Sequence, residues 1–224
     1  TTLTISDLFV IAEQLGCVWK LEKLCRNKAL KAAVEKPENV KLFLNVDGNI
    51  IQDKAFIQGF TNRKAMKAGV PASDIVFEIT ERSDIENYQI LQQIMKHYAD
   101  QGYEIALDDV GAGHSGLNRV VNTTPDYLKA DIELVRDIHK YKKKEIMMKL
   151  LLDYCNATGA ILIAEGIETA EELKCLHSLG VHYGQGFFLG KPERAFENVS
   201  DEAAEILERL NGKENILFLN NQSF

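Results

Sequence analysis

The sequence predicts an α/β domain of barrel type, with parallel strands joined by helices, and three observations carry that prediction. Short apolar, β-rich runs alternate with helix-period runs from residue 41 onward, the order expected of parallel strands with right-handed crossovers. Gly102, Gly159 and Gly180 each sit where a helical run gives way to the next strand, a position that favours a left-handed C-cap. Several apolar runs also end in a carboxylate or an amide: Asn45, Glu78, Asp108-Asp109, Lys129 with Asp131, and Glu165. Strand ends converge on one rim of a barrel, so these groups form one site rather than scattered surface charges.

The elements follow in order. Ser6 is placed to cap a first helix carrying Leu8, Phe9, Ala12 and Leu15, and a second helix presents Leu21, Leu24, Cys25, Leu30 and Ala33 on one face. A strand at 41–46, a helix near 53–68, a strand at 75–80, a helix near 86–101 and a strand at 104–109 come next. Strands near 126–130, 161–165 and 183–188 alternate with helices near 142–158 and 169–179. A last helix near 201–211 ends at Asn211-Gly212, before the apolar run Ile216-Leu217-Phe218-Leu219. These limits divide the chain into a catalytic-type domain over 1–195 and a C-terminal helix and tail over 196–224, which could lead to another domain.

Composition narrows the functional classes. With 224 residues and 46% hydrophobic content, the chain suits one large core better than two small ones. Its formal charge of -7 argues against a basic groove for a nucleic-acid polymer, yet permits a small phosphorylated ligand held through metal ions. Cys17, Cys25, Cys155 and Cys175 show neither metal-ligand spacing nor a secreted scaffold, so reduced thiols in a cytoplasmic protein are expected. No run has the length of a membrane span, and Thr1-Thr2-Leu3-Thr4 lacks the features of a signal peptide.

Each motif has a functional and a plain structural reading. Adjacent carboxylates at Asp108 and Asp109 repel one another unless a cation intervenes, which points to hard divalent ions; an Asp capping the following helix is the alternative. The glycines of Val110-Gly111-Ala112-Gly113-His114-Ser115-Gly116-Leu117 allow a loop to fold over such a site, or make an ordinary turn. Glu78 lies among Val76, Phe77 and Ile79, where an unpaired carboxylate is costly, so it should be paired or metal-bound. Glu81 could anchor a neighbouring loop or serve as a helix cap. Strand alternation puts Lys129 and Asp131 on one face; Lys129 could orient a water and balance phosphate charge, or form a structural ion pair. Glu165 suits a metal ligand or general base, while Glu168 sits where a helix should start. Gln185-Gly186-Phe187 offers an amide and a close approach to a ligand, or simply a turn.

His97, His114, His139, His177 and His182 lack metal-ligand spacing, and none is assigned a catalytic role. The chain has no GxSxG elbow, Walker loop or CxxC pair, which weakens serine-hydrolase, P-loop and redox readings.

Taken in order, Phe77-Glu78-Ile79-Thr80-Glu81, Asp108-Asp109-Val110-Gly111-Ala112-Gly113-His114-Ser115-Gly116-Leu117, Leu128-Lys129-Ala130-Asp131, Ala164-Glu165-Gly166-Ile167-Glu168-Thr169 and Gln185-Gly186-Phe187 closely resemble five elements of the EAL-domain family, the cyclic di-GMP phosphodiesterases. The resemblance implies a TIM-barrel-like, EAL-type barrel with two Mg²⁺ or Mn²⁺ ions that hydrolyses cyclic di-GMP to linear pGpG. It implies Asn45, Glu78 and Asp108 on the first ion, Asp108 and Asp109 on the second with Glu165 near it, and Lys129 orienting the attacking water. Gln185 would help position water or substrate; Asp131, Glu168, Gln185 and Gly186 would line the substrate side; Glu81 would anchor the glycine loop. A homodimer formed through that loop, and fusion to a sensor or GGDEF (diguanylate cyclase) domain, are further implications.

One departure bears on activity. The family's Glu-Ala-Leu segment has no counterpart here, so the barrel is expected to lack its first two strands and one ion to lack a ligand. A chain beginning at Thr1 is accordingly expected to be poorly active, and an upstream Glu-Ala-Leu-x-Arg strand would restore the enzyme. The competing reading is a catalytically inactive receptor that binds cyclic di-GMP and passes the signal to a partner. A ligand-free interaction scaffold is the third reading, and no motif supports it.

Overall fold

The computed structural model describes residues 3–48, 50–79, 88–111, 116–192 and 198–211. Helices α1 (Ile5–Gln14) and α2 (Val18–Ala32) precede β1 (Leu42–Val46); then come α3 (Phe60–Ala68), β2 (Ile75–Ile79), α4 (Tyr88–Ala99) and β3 (Glu104–Val110). Helix α5 (Gly116–Asn122), β4 (Tyr127–Ala130), α6 (Ile132–Val135), α7 (Lys142–Thr158), β5 (Ile161–Ala164), α8 (Ala170–Ser178), β6 (Tyr183–Gly184) and α9 (Asp201–Asn211) complete the order. Among the described residues the strands form one six-stranded sheet in sequence order, every neighbouring pair parallel. The α/β class and parallel sheet read from the sequence are therefore present.

The two faces of the sheet divide the labour. Leu44, Val46, Phe77, Ile79, Ile105, Leu107, Leu128 and Leu162 pack against the helical layer. On the opposite face Val76, Ala106, Tyr127 and Ile163 form a smaller apolar cluster with Phe43, Ile161 and Tyr183, below the strand ends that carry the acids. Because successive strand residues point to opposite faces, Phe77 and Glu78 serve different layers from adjacent backbone positions.

Several sequence expectations need correction. Helix α1 starts from Thr4, not Ser6: Thr4 and Asp7 form a reciprocal capping box, and that reciprocity satisfies two end donors at once. Of its expected apolar face only Ala12 is buried, while Leu8 and Leu15 are 41% and 72% exposed. On α2 the buried face is Trp19, Glu22, Arg26, Ala29 and Leu30, and Leu24 is exposed; an ion pair occupies the place an apolar count would give to leucine. The helix near 53–68 is shorter: a 3₁₀ turn covers Ile50–Gln52, and α3 starts only at Phe60. The strand at 183–188 stops after Gly184, because Gly186 packs directly on the backbone of Ile167. The short helices α5 and α6 are additions to the expected alternation, α5 lying where the capping alternative for the acidic pair places a helix. The apolar run 216–219 lies outside the described residues.

Gly102, Gly159 and Gly180 take φ of 85°, 81° and 87°, the left-handed conformation that ends a helix without a Cβ penalty. Helix α9 covers the expected 201–211 span and buries Ala203, Ile206 and Leu207.

Candidate active site

The candidate site forms where the carboxyl ends of β1 to β5 meet, and its centre is an ammonium. Lys129, on β4, is 3% exposed. Its Nζ lies 2.6 Å from Glu78 Oε1 on β2, 2.5 Å from Glu165 Oε1 just beyond β5, and 3.1 Å from Asp108 Oδ1 on β3. Three strands thus aim carboxylates at the side chain of a fourth. Register explains the meeting: Lys129 lies opposite Ile163, Glu78 opposite Ala106, and Asn45 opposite Glu78, so the parallel ladder brings the strand ends level.

Asp109 joins from the same strand end because its backbone turns left-handed, with φ 57°. For a non-glycine residue that conformation is uncommon and concentrates at functional positions. It lets two consecutive residues approach one cluster, where regular alternation would send them to opposite faces. Carboxylate oxygens of Asp108, Asp109 and Glu165 lie within 4.8 Å of one another. Asp131 accepts the Glu133 amide at 2.7 Å as N-cap of α6, and its own amide donates to Val110 O at 3.1 Å. Gln185 donates from Nε2 to Glu165 Oε1 at 2.8 Å, while its amide N–H donates to Ala164 O at 2.8 Å.

Electrostatics reflect this crowding. Burial, opposed by Lys129 and reinforced by Asp108, lifts the Glu165 carboxyl to about 8. Burial, then Asp108 and Asp131, raise Asp109 to about 6. Glu78 is raised chiefly by burial, against the pull of Lys129. The Lys129 ammonium is held charged well above the usual lysine range, because Glu78, Asp108 and Glu165 outweigh its own desolvation.

A pH dependence follows. Glu165 and Asp109 have folded-state values above their ordinary 4.5 and 3.8, so between those values and about 8 the folded chain binds more protons than the unfolded chain, and stability falls as pH rises. Thermal unfolding in EDTA should show a melting temperature that declines from pH 5 to pH 8, and millimolar Mn²⁺ should flatten that decline. A melting temperature that rises over the window in EDTA would contradict the assignment.

The arrangement fits hard divalent cations. Asp108 Oδ1 is buried and has no hydrogen-bond partner, with the Lys129 ammonium 3.1 Å away as its ion-pair neighbour. Glu78, Asp108, Asp109, Asp131 and Glu165 set five carboxyl groups against one ammonium, all with oxygen donors of the kind Mg²⁺ and Mn²⁺ accept. Asn45 stands exposed at the end of β1, beside Glu78 in register.

Other expected residues have different surroundings. Glu168 is exposed and faces Arg136 Nη2 at 3.8 Å, a partner outside the carboxylate cluster. The cap of α8 is Thr169, in a capping box with Glu172, a pattern legible as Thr169-x-x-Glu172. Glu81 and residues 112–115 of the glycine loop lie outside the described residues. Missed at the sequence level was the buried pair Glu22–Arg26, whose Glu22 Oε1 accepts the Asp47 amide at 2.6 Å; only its i, i+4 spacing signalled it.

Glycines shape the β6 side of the rim. A Cβ on Gly186 would lie 2.2 Å from both the N and the O of Ile167, and backbone atoms cannot give way as a flexible side chain can. Gly186→Ala should therefore displace Gln185 from Glu165 and lower the melting temperature by several degrees, as a ~2 kcal/mol cost in a chain of this size implies. Unaltered melting would show that the two segments separate freely.

Comparison with known proteins agrees with the α/β fold. The EAL domain family profile matches residues 2–192. "Cyclic di-GMP phosphodiesterase PdeA" of Borreliella burgdorferi is 27% identical over 192 residues, covering 84% of this chain and 28% of that protein. The chain thus spans little more than a quarter of that relative. A standalone EAL protein from Vibrio cholerae, solved with cyclic di-GMP bound, superposes with a TM-score of 0.74 at 28% identity, covering 83% of this chain and 78% of that one. Klebsiella pneumoniae BlrP1, solved as a complex with calcium and cyclic di-GMP, gives 0.75 at 28% identity, covering 81% and 47%. From the profile match and these likenesses, with acids at the ends of successive parallel strands, the chain belongs to the EAL domain family.

Proposed function

We propose that the chain is a metal-dependent phosphodiesterase that hydrolyses cyclic di-GMP to linear pGpG. The observation that carries this reading is the cluster of Glu78, Asp108, Asp109 and Glu165 around Lys129, in which Asp108 Oδ1 is buried and without a hydrogen-bond partner. The names of curated relatives and the cyclic di-GMP complexes of solved neighbours support the substrate.

In this reading Asn45, Glu78 and Asp108 would hold one Mg²⁺ or Mn²⁺, and Asp108 and Asp109 a second, with Glu165 beside it. When bound, such ions neutralise phosphate charge and lower the pKa of a bound water. Lys129, kept protonated by its three carboxylate neighbours, orients the attacking water through its Nζ protons and carries a fixed positive charge to the phosphodiester. Gln185 fixes the Glu165 carboxylate by donating to Oε1, leaving Oε2 for the site. Asp131, Glu168 and Gly186 complete the substrate side; at Gly186 the missing side chain lets the segment pack on the Ile167 backbone. Glu81 would hold the glycine loop. A homodimer, a fused sensor or GGDEF domain and a cytoplasmic setting belong to the same reading. The four cysteines are unpaired, and among the described residues no helix is long and apolar enough to cross a membrane.

The test is incubation of this chain, and of an upstream-extended version, with cyclic di-GMP and Mn²⁺ or EDTA, with products separated by chromatography. Mn²⁺-dependent pGpG in the extended version supports the reading. Calorimetric binding of the dinucleotide without pGpG in either version would favour a receptor instead.

A further inference from the structure

On the helical side of the sheet, directly behind the proposed ion ligands, lies a buried charge pair that the mechanism does not use. Glu22 and Arg26 on α2 are each 2% exposed and joined by a salt bridge. Glu22 divides its two oxygens: Oε2 meets Arg26 Nη2, while Oε1 accepts the Asp47 backbone N–H at 2.6 Å. Arg26 Nη1 donates to Thr61 Oγ1 on α3 at 3.2 Å, and its guanidinium lies over the Phe77, Trp19 and Tyr98 rings at 5.1, 5.2 and 5.7 Å from their centroids.

The pair therefore holds the backbone just past the end of β1 and lies over a side chain of β2, each next to a proposed ligand. Asp47 is two residues past Asn45, and Phe77 immediately precedes Glu78. Asn45 and Glu78 are partners in the β1–β2 register. Fold stability alone does not call for such a device, since replacing a buried ion pair with apolar residues of similar volume is often neutral or stabilising.

Resting on the two-ion reading above, we propose that Glu22 and Arg26 are positioning residues: through the Asp47 amide and the Phe77 ring they set the ends of β1 and β2, so that Asn45 and Glu78 present oxygens to one cation. Groups that orient metal ligands from behind contribute tenfold to hundredfold in affinity. The structure accounts for the choice of residues, because a carboxylate can bond an arginine and a backbone amide at once, and a planar guanidinium can stack on aromatic rings while doing so.

The experiment uses the double variant E22L/R26M, which removes both charges together and leaves neither buried alone. Three readouts apply: melting temperature in EDTA, Mn²⁺ affinity by calorimetry, and hydrogen exchange at the Asp47 amide. The expected result is a melting temperature within a few degrees of the unaltered chain, Mn²⁺ affinity weakened by about tenfold or more, and faster Asp47 exchange. Leu151→Ala on α7, a buried site remote in sequence from β1 and β2, should lower the melting temperature and leave Mn²⁺ affinity unchanged. Unaltered Mn²⁺ affinity or unaltered Asp47 exchange in E22L/R26M overturns the inference. Absence of Mn²⁺ binding by the unaltered chain overturns the two-ion reading, and this inference with it.

Discussion

Lys129→Met should destabilise the metal-free chain by about 3–5 kcal/mol, the usual penalty for leaving buried charges without their partner. The ammonium lies 2.5–3.1 Å from Glu165, Glu78 and Asp108, and Met fills much of its volume while supplying no charge. In a chain of this length, that loss corresponds to roughly 10 °C in melting temperature. Mn²⁺ should recover part of the loss, because a divalent ion replaces the missing positive charge among the same oxygens. Turnover should stay low even so, since the group that orients the attacking water is gone. Thermal unfolding in EDTA and in Mn²⁺ checks both halves; equal melting of variant and unaltered chain would show that the three carboxylates do not need the lysine.

Asp108→Asn should act little on stability and severely on chemistry. Its charge raises the carboxyls of Asp109, Glu165 and Glu78 toward protonation and also meets Lys129 Nζ at 3.1 Å, so neutralising it removes repulsion and attraction together and should leave the melting temperature in EDTA within a few degrees of the unaltered chain. Asp108 is also the proposed ligand shared by both ions. Losing it should lower pGpG formation in the upstream-extended version by about 10³-fold, equivalent to ~4 kcal/mol of transition-state stabilisation. Retained stability joined to a loss of function separates a functional ligand from an ordinary structural acid. Near-normal turnover in Asp108→Asn would remove the basis of the two-ion assignment.

Much of this architecture could be read from residue pattern. The strand runs carrying Asn45, Glu78, Asp108, Lys129 and Glu165 are parallel neighbours in that order, because alternation of strand and helix permits little else. Lys129 and Asp131 were legible as same-face residues, but not the three carboxylates on Lys129, which depend on register between strands far apart in sequence. Asp109 was legible as half of an acidic pair; its left-handed φ, which lets it share a rim with Asp108, is a property of the folded backbone. The strand expected at 183–188 runs past the observed β6, because the Gly186–Ile167 approach is a tertiary contact. Glu22 and Arg26 escaped notice for the same reason: a charged pair on a helix is ordinarily a solvated pair, and only burial against Trp19 and Phe77 distinguishes this one.

The most direct measurement is an anomalous difference map from crystals of this chain grown with Mn²⁺. Manganese peaks are expected at the strand ends, bounded by Asn45, Glu78, Asp108, Asp109 and Glu165, with Lys129 Nζ close by. Manganese bound elsewhere, or a cluster that keeps only its lysine at saturating Mn²⁺, would contradict the two-ion assignment.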